Sequence, residues 1–99
     1  MTRYLPALLA AMAFTTPAWA GDAQPTGRAL AQTCYVCHGP QGHSPGPIPA
    51  LHGQSAEQIA SALTEYKAGT RPATIMSRIA QGYSDESIKL VADYLASQN

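Results

Sequence analysis

The sequence predicts an all-α domain of three to four short helices wrapped around a bound group. Three observations point there. Apolar residues recur at helical spacing in stretches that begin near residues 26, 55 and 84, and no stretch alternates like a strand. The chain also has too little bulk to fill a core alone. With 99 residues, six basic and six acidic side chains, it has room for one domain. It is too short for a dinucleotide fold with its full sheet, and it lacks the basic surplus of a general nucleic-acid binder.

Much of the hydrophobic composition lies at one end. Arg3 supplies a positive start, Leu5 to Phe14 an apolar stretch, and Ala18-Trp19-Ala20 a small-x-small cleavage signal. Residues 1–20 therefore read as a secretory signal peptide cut after Ala20. The apolar run is too short to span a bilayer and is interrupted by Pro6 and Pro17, so no membrane anchor is expected after cleavage. Gly21, rather than Cys, follows the cut, which gives no site for lipid attachment there.

The expected mature domain is residues 21–99. Arg28, Lys67, Arg71, Arg78 and Lys89 face Asp22, Glu57, Glu65, Asp85, Glu86 and Asp93, leaving one excess negative charge. It contains no Trp or Phe, its aromatic side chains are Tyr35, Tyr66, Tyr83 and Tyr94, and its single Met is Met76. So small a core needs a disulfide, a metal or a cofactor to complete it.

The elements follow in order. From Thr26 to Cys37, Leu30, Ala31, Cys34 and Cys37 recur at helical spacing. Residues 39–49 carry Gly39, Gly42 and Gly46 with Pro40, Pro45, Pro47 and Pro49, a density of breakers that predicts an ordered loop without a regular element. Ser55 and Gln58 form a capping box that opens a helix to about Ala68, with Ile59, Leu63 and Tyr66 as its buried stripe and Gly69 as its stop. Thr74 to Ala80 allows two short turns before Gly82. Ser84 caps a last helix, Asp85 and Glu86 suit its positive end, and Ile88, Val91, Ala92 and Leu95 form its apolar face.

The chemistry is carried by Cys34-Tyr35-Val36-Cys37-His38, a C-x-x-C-H motif at a helix end. Two thiols one turn apart can each add to a vinyl group of one haem, and the adjacent His is then carried under the iron as its ligand. Thioether attachment of haem takes place outside the bacterial cytoplasm, which agrees with the leader and points to the periplasm. A disulfide between Cys34 and Cys37 is the simplest competing reading. A thioredoxin-like pair requires a βαβ pattern that is absent, and a zinc site requires paired spacing that His38, His43 and His52 do not show. One covalent haem c is the reading adopted.

A sixth iron ligand would come from Met76, His43 or His52. His43 lies too close to His38 in the breaker-rich loop, and His52 is followed directly by Gly53 in a surface-like context. Met76 lies beyond a whole helix, with ample chain to reach across the macrocycle. Met76 is the expected ligand, with an open sixth position as the alternative. His/Met ligation raises the reduction potential and fills both axial sites, favouring electron transfer.

The signature Cys34-Tyr35-Val36-Cys37-His38-Gly39, the loop Gly46-Pro47-Ile48-Pro49-Ala50-Leu51 and the distal Met76 resemble class I cytochrome c over essentially all of residues 21–99. More narrowly, Gly53-Gln54-Ser55, Arg71-Pro72 and the run from Met76 to Asp85 are similar to the haem subunit of flavocytochrome c sulfide dehydrogenase. The cytochrome c4 and c553 groups share similar stretches. The resemblance implies that the Pro49 carbonyl accepts a hydrogen bond from His38 Nδ1 and that Leu51 and Ile75 line the pocket. It implies that Gly27 and Leu30 meet Val91 and Tyr94. Arg71 and Arg78 become candidates to pair with the haem propionates, and the Tyr66 and Tyr83 hydroxyls could point at the pocket.

The narrower resemblance implies an FAD-bearing subunit that oxidises sulfide as electron donor and a soluble cytochrome as acceptor, with no catalysis expected in this chain alone. A free-standing shuttle to a terminal oxidase is the alternative. A haem sensor or peroxidase with an open sixth site is the third reading.

Overall fold

The structure is a computed structural model that describes residues 10–17 and 25–99. The expected cleavage signal at Ala18–Ala20 lies outside the described residues. Residues 10–17 are exposed and have no regular secondary structure.

Helix α1 spans Gly27–His38, α2 Ala56–Ala68, α3 Met76–Ala80 and α4 Asp85–Ser97. No strand occurs among the described residues. The helix starts are chemically explicit. The Thr26 hydroxyl accepts from the Ala29 amide, so Thr26 caps α1 from just outside it. At α2, the Ser55 hydroxyl accepts from the Gln58 amide while the Gln58 side chain accepts from the Ser55 amide, completing the expected capping box. The Ser84 hydroxyl accepts from the Ser87 amide at α4. Gly69 ends α2 in the left-handed conformation at φ 76°, where a side chain would be strained.

One element departs from expectation. A single 3₁₀ turn, Pro40–Gly42, forms inside the breaker-rich loop. Pro40 at its first position already has the required φ and needs no donor, and Gln41 takes φ 55° to turn the chain. Gly42 then sits buried against the Leu51–His52 backbone, and its carbonyl accepts from both the Leu51 and His52 amides. The loop is therefore closed by backbone bonds at its base.

Helix α1 packs on α4, and α2 packs on both α3 and α4. Ala31, Ile59, Val91, Ala92 and Leu95 form the buried cluster where α1, α2 and α4 meet, with Leu30 and Tyr94 packed against it. All four residues of the expected α4 face are buried, whereas Leu63 and Tyr66 of the α2 stripe are only half-buried. Gly27 lies where a Cβ would overlap the Leu90 carbonyl and come within 2.9 Å of the Tyr94 Cβ. The expected Gly27–Tyr94 approach is thus present, with the Leu90 backbone as a further close neighbour of Gly27, and Leu30 packs against the cluster that contains Val91.

Candidate functional site: a haem crevice

The buried core is small, and among the fully buried side chains Val91 is the largest. Beside it lies a cavity of about 820 Å³, whose walls come from α1, the loop at residues 47–54, α2 and α3. Ile48, Ile75 and Ile79 line it while remaining 42%, 57% and 39% exposed. Three isoleucines left open toward one cavity are costly in water and become favourable once an apolar group fills it.

The motif residues converge on that cavity. Helix α1 presents Cys34, Cys37 and His38 to it from its last turn. Both cysteines are free thiols, Cys34 half-buried and Cys37 exposed. Burial raises the Cys34 thiol above its ordinary value, opposed by the Thr33 and Tyr83 hydroxyls. His38 Nδ1 lies 2.6 Å from the Pro49 carbonyl oxygen. A carbonyl can only accept, so Nδ1 carries the proton and donates, which leaves Nε2 with its lone pair free to bind a metal. Met76, the first residue of α3, lines the same cavity and is half-buried.

The remaining expected residues divide. Leu51 and Ile75 line the cavity, as do Tyr66 and Tyr83. Arg71 also lines it, but its Nε donates to Glu65 Oε2 at 2.7 Å and its guanidinium sits 5.5 Å from the Tyr66 ring centroid. The hydrogen bond to Glu65 raises the Arg71 pKa further. Arg78 is exposed and is not among the lining residues. His43 and His52 are absent from the lining as well, and their rings stack on one another at 3.9 Å between centroids.

Sequence reasoning missed several wall residues. Ile79 follows Met76 by three positions and was readable as the same face of α3. Pro47, Ile48 and Gln54 stood in the stretches that carry the family resemblance but were not assigned to the wall, because their positions depend on how the loop closes. Thr33 on α1 carried no signal.

The donor set fits haem c. It offers two thiols one helical turn apart, an imidazole with its distal nitrogen free, a thioether and an apolar wall. No cluster of three or more His, Cys, Asp or Glu suited to a metal ion on its own occurs among the described residues.

Comparison with known proteins agrees. The cytochrome c family model matches residues 25–99. The chain is 42% identical over 71 residues to the cytochrome subunit of sulfide dehydrogenase of Chlorobaculum tepidum, covering 72% of this chain and 64% of that protein. It is 43% identical over 83 residues to cytochrome c-554(548) of Halomonas halodenitrificans, covering 80% of this chain and 99% of that protein. To cytochrome c4 of Pseudomonas aeruginosa it is 33% identical over 99 residues, which is 99% of this chain and 49% of the relative. The chain thus spans less than two thirds of the sulfide dehydrogenase subunit and about half of cytochrome c4. A helical fold built around a C-x-x-C-H crevice, together with this match over the whole helical domain, means that the chain belongs to the cytochrome c family and carries covalent haem c.

Proposed function

We propose that the chain is a periplasmic one-electron carrier whose iron is held by His38 and Met76. It would take electrons from the FAD subunit of a sulfide dehydrogenase and pass them to a soluble cytochrome. The observation that carries the ligation is the meeting of Cys34, Cys37, His38 and Met76 in one cavity, with His38 Nδ1 tied to Pro49.

Bound haem supplies one chemistry, a reversible one-electron change at iron. The protein's own residues do the rest. Cys34 and Cys37 fix the group to α1 through thioethers. The Pro49 carbonyl holds the His38 ring in one orientation and increases its basicity. The Met76 thioether is placed by the first turn of α3. Leu51, Leu63, Ile75 and Ile79 keep water from the cavity. Arg71 is the better placed of the two arginines to meet a propionate, since it alone reaches the cavity wall. A site that keeps the same ligands in both oxidation states needs little rearrangement per electron, so transfer is favoured over chemistry at an open iron.

The donor assignment draws on the similarity to the Chlorobaculum tepidum subunit. A second reading, a free-standing shuttle, is supported by cytochrome c-554(548), which the chain matches over 99% of its length. Among the described residues no helix is long and apolar enough to cross a membrane, which is compatible with both. One experiment separates them: recovery of the secreted haem protein from its host, assayed for haem and flavin together. Equal amounts of a flavoprotein that reduces the cytochrome on addition of sulfide support the subunit. Recovery of a haem-containing monomer alone supports the shuttle. A near-infrared methionine-to-iron band in the ferric protein tests Met76, and its absence overturns His/Met ligation.

A further inference from the structure

Helix α3 is poorly supported for an element that carries an iron ligand. It has five residues, no side-chain cap at its N-terminus, and Met76 in its first position. A helix this short does not hold itself together in water. It packs on α2, whereas His38 and both cysteines belong to α1, which packs on α4. The Met76 side of the cavity is therefore joined to the His38 side through two intervening packings, α2 on α4 and α4 on α1.

Lys67 Nζ donates to Asp85 Oδ1 at 3.4 Å between α2 and α4, and among the described residues one side-chain hydrogen bond joins the chain directly after α3 to α1. The Tyr83 hydroxyl lies 3.1 Å from Thr33 Oγ1, 50 positions away in the chain. Thr33 Oγ1 also lies 2.7 Å from the Leu30 carbonyl, which can only accept. The single Thr33 proton is committed to that carbonyl, so Tyr83 is the donor and Thr33 the acceptor. Tyr83 is joined rigidly to α3, because its amide donates to the Ala80 carbonyl at 3.1 Å and the Gly82 amide donates to Ile79 at 3.1 Å. Both Thr33 and Tyr83 line the cavity.

We propose that the Tyr83–Thr33 hydrogen bond is a latch that keeps α3, and with it Met76, closed over the cavity against the helix that carries His38. Tyr83 is on this account a positioning residue, acting through Met76. The latch rests on the reading of Met76 as sixth ligand. It sets how readily an external molecule displaces that ligand, and so whether the site stays a closed electron carrier.

The test uses ferric holoprotein and imidazole as competitor for the sixth position. Tyr83→Phe keeps the ring and removes only the donor, and Thr33→Val removes only the acceptor and its helical bond to Leu30. Each variant is expected to bind imidazole about three to ten times more tightly than wild type, the effect of one lost hydrogen bond. The double variant should bind no more tightly than Tyr83→Phe, because one interaction cannot be lost twice. The helix signal in far-ultraviolet circular dichroism should melt nearly as in wild type, while the methionine-to-iron band is lost earlier. Unchanged imidazole affinity in Tyr83→Phe, or additive effects in the double variant, overturns the latch while Met76 ligation stands. A wild-type ferric protein without the methionine band overturns Met76 ligation and the latch with it.

Discussion

His38 Nδ1 and the Pro49 carbonyl oxygen stand 2.6 Å apart, which joins the end of the first helix to a loop eleven residues further along. The bond sets which imidazole nitrogen faces the cavity and how strongly it donates there. Pro49 contributes a carbonyl that any residue could offer, but its ring fixes φ and holds that carbonyl in place. Replacing Pro49 by Ala should cost about 0.5–1 kcal/mol of holoprotein stability through added freedom of the unfolded chain. The reduction potential should rise by a few tens of millivolts, because a looser bond makes the imidazole less basic and favours the ferrous form less weakly. Denaturant titration and spectroelectrochemistry read the two effects separately.

Gly27 permits the closest approach of α1 to α4. Because a Cβ there would meet the Leu90 carbonyl and the Tyr94 Cβ, Gly27→Val should force the helices apart and cost about 1–3 kcal/mol in chemical denaturation. The visible spectrum of the folded fraction should be unchanged, since Gly27 is absent from the cavity lining.

Tyr35 gives the opposite sign. Its hydroxyl is the one buried side-chain oxygen or nitrogen without a hydrogen-bond partner among the described residues. Tyr35→Phe removes an unsatisfied group and should be neutral or stabilising by up to about 1 kcal/mol. Burial, and next the neighbouring Tyr94, raises the Tyr35 pKa above its ordinary value of 10.0. The unfolded chain therefore loses its proton first, so the Tyr35 contribution is intact below about pH 10 and is lost as pH rises toward the raised value. Thermal melts across that range should show a shallower alkaline decline for Tyr35→Phe than for wild type.

The cavity wall carries little charge. Its ionisable members with a charge at neutral pH reduce to Arg71, which Glu65 already neutralises. Electron exchange through this face should therefore depend weakly on salt, varying less than about threefold between low and high ionic strength with a charged small-molecule oxidant. Stopped-flow rates across a salt series check this. A steep fall would mean that charges away from the cavity steer the encounter.

The C-x-x-C-H motif, the Ser55 and Ser84 caps, the Gly69 stop and the apolar face of α4 were all legible in the sequence, because each is decided within a few neighbouring residues by hydrogen bonding or helical period. Thr26, read as the first residue of the helical stretch, turned out to be its cap. The meeting of Met76 with the motif in one cavity followed from elimination, helped by its being the only Met in residues 21–99. The 3₁₀ turn at Pro40–Gly42 was hidden behind a run of breakers whose closure depends on Gly42 bonding to Leu51 and His52.

Tertiary structure alone decided the pairings between distant side chains. Arg71 and Arg78 look alike in the sequence, yet one reaches Glu65 and the cavity while the other stays exposed outside it. The Tyr83 hydroxyl finds Thr33 from 50 positions away, and Asn99 clasps the Gly53–Gln54 turn by accepting from the Gly53 amide and donating to the Gln54 carbonyl. Local sequence fixes which residues become helix, since those bonds are made within a turn. Which hydroxyl or guanidinium finds which partner depends on how the helices are placed around the crevice, and no short window of residues contains that placement.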